Sequence, residues 1–354
     1  MSSTQSNGSP VVDHRELFTR AVTRILSTDI AETTYAQIID GLPLFDVLLD
    51  SRDGLFPKGH PIRNHTQLCP GILDKTREFR DKFRPQTLQF DSRLLSAYKA
   101  AGPGSKAFNT RLIEMTAVAV HEIAVLLFNR NTSLHKDDGI TEWTPPKSDT
   151  WFWEWNPDGP LPTLFKHPWF IDFEQYPNGV ADMVGYWAEA RILGGVVLFD
   201  RRTPDDKPAS SLDLDDEELS YLLPPKLDPD AIYFHSDREH VTYRIYQLLP
   251  EQKQALVDFL TADPRPLTCP LPILGDDNNL PRVDPEEPLK ATGIYRDIWE
   301  RKDRPFERSD ARLRDVWDTN DFPTRDDKGA AANRAMEMRF QAEYGDDFDI
   351  DPEL

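Results

Sequence analysis

Apolar residues recur at helical spacing through the first part of the chain and at strand-like density through the later part. Leu17, Val22 and Ile25 fall on one face behind Asp13 and Glu16, which read as a capping box opening a helix through about Ser27. Residues 36–65 are apolar at first and then crowded with Pro, Gly and His. Helices are predicted near 71–83 and 91–100, the second opening from Asp91 as its N-cap. The strongest element covers 105–129. There Phe108, Leu112, Met115, Ala119, Ile123 and Leu126 keep helical spacing, and Ala117, Val118, Val120 and Val125 leave little of the circumference polar. A helix apolar nearly all round belongs at the centre of a fold.

After a Trp-rich loop (Trp143, Trp151, Trp153, Trp155) the pattern changes. ARILGGVVLFDRR (190–202) reads as a strand, with Gly194-Gly195 marking a bulge or a close backbone approach. The β-rich runs 231–236 and 241–249 predict an antiparallel hairpin around the four-residue loop DREH. Pro250 opens a further helix. A Pro-rich stretch then leads to a helix around Ile294–Arg301 and a last one near 329–343. Helices first and strands later predict an α+β fold, a helical N-terminal half packed on a small antiparallel sheet with long Pro-rich wrapping loops. One domain over 13–343 is expected, with subdivision near 140 left open, between a disordered 1–12 and an acidic tail at 344–354.

Composition narrows the classes. The chain has 354 residues, 39% of them hydrophobic, enough for a sizeable core, and the mean hydropathy of −0.57 with 30 prolines implies much exposed loop. No apolar run is long enough for a membrane span, and the first residues lack a secretory pattern, so a cytoplasmic protein is expected. Cys69 and Cys269 make no disulfide framework. The net charge of −20 argues against a dominant nucleic-acid surface. Acids gather at 213–218, 275–279, 284–287 and in the tail, whereas cations cluster at Lys75, Arg77, Arg80, Lys82 and Arg84.

Candidate chemistry concentrates between Pro160 and Arg202. Asp172, Glu174, Asp182, Glu189 and Arg191 stand there among Trp169, Phe170, Phe173, Tyr176, Tyr186 and Trp187. Aromatic walls exclude water, and a carboxylate beside them has a raised pKa suited to acid–base work. Asp172 and Glu174 share a face if their segment is extended, and Asp182 and Glu189 share one if 180–190 is helical. On the central helix, Arg111, Glu114, His121 and Glu122 form a stripe that is either internally paired or turned to the pocket. His235, Arg238, His240 and Arg244 make a second cationic cluster that could hold an anion. His121-Glu122 lacks the second histidine of a zinc helix, because position 125 is valine. His60, His65 and Cys69 have no evident fourth ligand nearby. No phosphate-binding loop, dinucleotide fingerprint or serine elbow is present, so neither metal nor cofactor is expected.

The runs 167–202, 231–260, 269–279 (CPLPILGDDNN) and 294–302 (IYRDIWERK) resemble a pattern shared by a large group of fungal proteins, identified here with the arginine-containing cyclodipeptide synthases. The resemblance implies transfer of aminoacyl groups from charged tRNAs and release of a cyclic dipeptide containing arginine, in secondary metabolism. The Asp-Asp-x-x-Glu signature associated with that family is missing. Asp137-Asp138 has Glu142 one residue late, and Asp215-Asp216 has Glu218 one early. On local chemistry, Glu174, Asp182, Tyr186 and Glu189 are then the catalytic candidates. Asp172, Trp169, Trp187, Arg191, Glu114 and His121 would bind the small-molecule substrate, and the cations at 75–84 would bind aminoacyl-tRNA. A cofactor-free cyclase or isomerase of a secondary metabolite and a non-catalytic binding protein are the alternatives.

Overall fold

Polar caps and apolar faces set the helical part. The computed structural model describes residues 13–52, 56–203, 227–264 and 266–303. The expected disordered start, the acidic run 213–218, the helix near 329–343 and the acidic tail lie outside them. Helix α1 (His14–Leu26) is capped by the Asp13 carboxylate, which accepts from Arg15 N at 3.1 Å. Glu16 does not reach back to complete a box but pairs with Arg20 at 2.9 Å. Helix α2 (Asp29–Asp40), which the hydrophobic pattern left unassigned, starts at the Thr28 cap and stops at Gly41, left-handed at φ 106°. The short α3 (Phe45–Leu49), then α4 (Ile72–Lys82) and α5 (Ser92–Ala100), follow, with Asp91 capping α5 as expected. Helix α6 (Lys106–Phe128) is the central one, packed on α1, α2, α5 and the later helix over Val180–Leu193. Between them, part of the Trp-rich stretch is helical rather than loop, as α7 (Thr150–Trp155), with Asp149 accepting from Phe152 N.

Helix α8 (Val180–Leu193) is buried at every residue from Ala181 onward. Trp187, Val184 and Ile192 join the core shared with α6, while Met183 and Tyr186 pack against the sheet side with Val196, Leu198 and Ile245. Each large apolar side chain so buried contributes about 1.5–3 kcal/mol. The predicted strand at 190–202 therefore begins late. Gly194 is the left-handed end of α8, where an added Cβ would run into the Ile273 carbonyl, and a Cβ added at Gly195 would come within 2.9 Å of the His235 backbone. The close approach holds; the strand position does not, because Ala190–Leu193 complete the helix.

Strand β1 (Val196–Asp200) sits within an antiparallel sheet of order β4-β3-β2-β1-β5. Its neighbours are β2 (Ile232–His235), β3 (Ile245–Gln247), β4 (Arg282–Val283) and β5 (Ile294–Tyr295). Between β3 and β4 runs α9 (Pro250–Thr261), opened by Pro250, and before β5 comes α10 (Leu289–Thr292). The expected hairpin forms with Tyr233 opposite Gln247, so its connection spans 236–244 instead of four residues. The reason is competition: Arg52 N donates to Asp237 O and Glu239 N to Asp50 O, both at 2.9 Å, drawing the loop away to residues 50–52. The helix expected around Ile294–Arg301 is also corrected. Gly293 ends α10 at φ 65°, and Ile294 and Tyr295 pair with Asp200 and Phe199 as an edge strand. The result is an α+β fold, helices leading and a five-stranded sheet following.

Candidate functional site

Asp182 and Glu189 do share one face of α8, and His121 of α6 reaches between them. Its Nε2 lies 2.9 Å from Asp182 Oδ1 and its Nδ1 2.9 Å from Glu189 Oε1. The ring fits there because residue 185 is glycine; a Cβ at that point would overlap the imidazole. Tyr186 meets the same ring edge-on at 4.7 Å between centroids. From the turn after β5, the Arg296 guanidinium donates to both Glu189 oxygens at 2.8 Å. Glu300 accepts from the backbone N–H groups of Arg296 and Asp297 at 2.9 and 3.1 Å. All of these side chains are buried.

The electrostatics follow from that closure. Burial disfavours the His121 imidazolium, but its hydrogen bonds to Asp182 and Glu189 outweigh this and lift its pKa to about 9. Burial would raise the pKa of Glu189, yet the charge of Arg296 and the His121 contact pull it below the usual value. Asp182 is lowered in the same way, against its own burial, chiefly by the His121 hydrogen bond. The raised carboxylate expected beside the aromatics is therefore neither of these. It is Glu300, pushed by burial up to about 7, and the half-buried Glu122, raised first by its own desolvation. Glu122 is the one that meets solvent.

The remaining expected site residues scatter. Asp172 immediately precedes, and Glu174 lies within, a 3-10 turn over Phe173–Gln175, not an extended run. Glu174 is 74% exposed in its side chain and 3.4 Å from Lys302, while Asp172 accepts from Lys302 N at 2.8 Å. Trp187 points into the helical core against Phe165, so it walls no pocket. Trp169 packs beside His235, itself buried, and its backbone N–H reaches His167. Arg191 is buried in ion pairs with Asp50 and Asp237, so it is tied to the 50–52 segment and not held for a substrate. Glu114 is clamped by Arg111 and by Arg201, at 2.5 Å for the latter, apart from His121. The cationic cluster at 235–244 disperses: Arg238 joins Asp50 at 2.6 Å, Arg244 faces Asp284 at 3.6 Å, and His240 is exposed.

Of the cations at 75–84, Arg77 and Arg80 turn to Glu32 of α2 at 2.8 and 2.9 Å. Lys75, Lys82 and Arg84 instead line an open groove of about 790 Å³ with Arg130, Asn129 and Asn131. Lys82 is paired with Glu78 at 2.5 Å, whereas Lys75, Arg84 and Arg130 have no carboxylate partner among the described residues. Asn129 connects this groove to Glu122, since Glu122, Leu126 and Asn129 succeed one another at i, i+4 and i+7 along one face of α6, the last as its C-cap. Near the groove, Asp40, His65, Cys69 and His135 bring ligand-type atoms within 4.8 Å of one another. This supplies what the His60/His65/Cys69 run lacked, while His60 turns away to cap Ile62 N and lie against Trp143. Residue spacing missed Arg296, Glu300, Asp40 and His135, all distant in sequence from their partners.

No protein-family model, curated protein or solved structure matches the chain.

Proposed function

We propose that this protein is a tRNA-dependent aminoacyl transferase that forms an arginine-containing cyclic dipeptide, with the α4 groove as its RNA-binding surface. The observation that carries the reading is the groove itself: Lys75, Arg84 and Arg130, free of carboxylate partners among the described residues, converge on one open cleft in a chain of charge −20. Arg84 donates to the backbone carbonyls of Asp81 and Phe83 and Arg130 lies over the Phe79 ring, which leaves their charge without a counter-ion among the described residues and suits a polyanion, because phosphate contacts supply most of its affinity. The sequence resemblance supplies the chemistry. One aminoacyl amine attacks the ester carbonyl of a second aminoacyl-tRNA, forming a peptide bond and releasing that tRNA's ribose hydroxyl. The new dipeptidyl amine then attacks the remaining ester, closing the ring and releasing the other tRNA.

Glu122 supports the base role better than Glu189. It is half-buried, its pKa is raised, and it stands on the α6 face that leads to Asn129 in the groove, about 10 Å along the axis. Glu189, Asp182 and His121 are enclosed and mutually paired, which suits holding α6 and α8 in register. Their closure also favours a second reading, in which the groove binds an anion and no reaction follows.

Expression in a clean host with product profiling separates the two readings, together with consumption of arginyl-tRNA by the purified protein. An arginine-containing diketopiperazine, lost in Glu122→Gln and in Lys75→Glu/Arg84→Glu/Arg130→Glu with melting temperature kept, is the expected result. RNA binding without product leaves the binding reading. Neither product nor salt-sensitive RNA binding by a folded protein ends the proposal.

A further inference from the structure

Beside the groove, three chain segments meet at Asp40. Gly41 turns the chain sharply after α2, and the Asp40 carbonyl accepts from Leu134 N and His135 N at 3.0 and 3.1 Å. Cys69 N donates to Asp40 Oδ2 at 3.0 Å, and His65 Nε2 lies 3.3 Å from the same oxygen. His135 Nε2 is 3.3 Å from Cys69 Sγ and 3.9 Å from Asp40 Oδ1. The two imidazoles stand edge-to-face at 4.8 Å between centroids.

Tautomers sharpen the picture. A carbonyl and a carboxylate only accept, so His65 Nδ1–H donates to Pro43 O at 3.0 Å and His135 Nδ1–H to Asp138 Oδ2 at 2.7 Å. Both Nε2 atoms then face Asp40 and Cys69; without a cation His65 Nε2–H donates to Asp40 Oδ2, and with one both nitrogens can turn a lone pair to it. Asp40 is fully buried, and its Oδ1 has no hydrogen-bond partner. A buried carboxylate with one unpartnered oxygen, two imidazole nitrogens and a thiol on the same point make a ligand set for a cation that displaces their inward protons. The outer contacts, imidazole to carboxylate and imidazole to backbone carbonyl, are those that orient metal-bound histidines.

Ligand type and distance then select the ion. We propose that Asp40, His65, Cys69 and His135 bind one zinc ion in a closed, structural site. Bond lengths of about 2.0–2.3 Å place the corners of a tetrahedron about 3.3–3.8 Å apart. The contacts of His65 Nε2 with Asp40 Oδ2 and of His135 Nε2 with Cys69 Sγ, both 3.3 Å, match two of those edges, and the whole set, within 4.8 Å, closes on one ion by a contraction of about 1 Å. Imidazole and thiolate suit zinc better than magnesium or calcium. One carboxylate and one thiolate balance the ion's two charges, so the buried site is neutral once Cys69 gives up its proton to solvent. Four protein ligands leave no open position for a substrate. The ion joins the end of α2 to the 61–71 and 131–138 segments, and Gly41, Asn131, Thr132 and Ser133 from those junctions line the groove. It would shape the groove wall whatever the groove binds.

Metal analysis of protein expressed with zinc supplementation should find one zinc per chain. Cobalt(II) exchanged into the full chain should give tetrahedral visible bands and a thiolate charge-transfer band. Cys69→Ser should lose the charge-transfer band while Cys269→Ser, at the exposed second cysteine, keeps it. Asp138→Asn, which removes only an outer contact, should weaken zinc about 10–100-fold. Circular dichroism establishes that each variant is folded. Folded wild-type protein without stoichiometric zinc or cobalt uptake overturns the proposal. So does full metal retention by a folded His65→Ala/His135→Ala chain, or a charge-transfer band that follows Cys269 instead of Cys69.

Discussion

Replacing Glu189 by glutamine keeps shape and removes one charge, so it asks whether this acid reacts or supports. Wild-type Glu189 is fully buried, takes two hydrogen bonds from Arg296 at 2.8 Å and holds His121 Nδ1 at 2.9 Å. The variant leaves the Arg296 guanidinium buried opposite a neutral amide and His121 with one carboxylate fewer. Removing one partner of a buried pair costs about 3–5 kcal/mol. With an unfolding entropy of about 2.1 cal/mol/K per residue, that lowers the melting temperature of a chain this long by about 4–7 °C. Glu174→Gln is the matched control: with 74% of its side chain exposed, it should shift stability by no more than about 0.5 kcal/mol. Calorimetry or far-ultraviolet circular dichroism reads both. Glu189→Gln that melts with wild type and loses all turnover would refute the reasoning and return Glu189 to the chemistry.

Other consequences are as direct. His121 titrates near 9 when folded against 6.5 unfolded, so the stability from its charged form is complete below pH 6.5 and is lost as pH climbs through 9; thermal melts from pH 6 to 10 should fall, and the fall should flatten in His121→Gln. Glu300 is raised from 4.5 to about 7, so its protonated form stabilises below pH 4.5 and the benefit disappears as pH rises through 7; Glu300→Gln should remove that part of the curve. Gly185→Ala should destabilise by about 1–3 kcal/mol, because the new methyl overlaps His121; melting at the wild-type temperature would mean the ring can move aside. Arg191→Met strands Asp237 in the interior and should cost about 3–5 kcal/mol in urea unfolding; an unchanged midpoint would show that Asp237 finds another donor.

Periodicity located what depends on near neighbours. The apolar circumference of 105–129 foretold the buried α6, and Asp91 its short helix, because both signals are written within a few turns. The seven-residue step from Asp182 to Glu189 likewise placed two acids on one face. Their partners were illegible for the opposite reason. Arg296 and His121 lie far along the chain, and only the pairing of β5 with β1 brings the first of them in. The same distance hid Asp40 and His135 from the His65–Cys69 run. Where acids were taken for a reactive pair, long-range partners had already claimed them: Arg296 holds Glu189 and His121 holds Asp182.

His121 comes before residue 140, while Asp182, Glu189 and Arg296 come after it. Those few bonds make the two parts of the chain electrically interdependent. A polypeptide ending near 140 would carry His121 with neither carboxylate nor the α8 face that covers it, and its complement would carry Asp182 and Glu189 without the imidazole between them. Neither fragment has an inexpensive interior of its own, so partial unfolding of either exposes charge in both. Unfolding should therefore run as one cooperative transition across α6, α8 and β1, with their slowest amide protons exchanging at a common rate. Two separately expressed pieces would be expected to recover structure only on mixing.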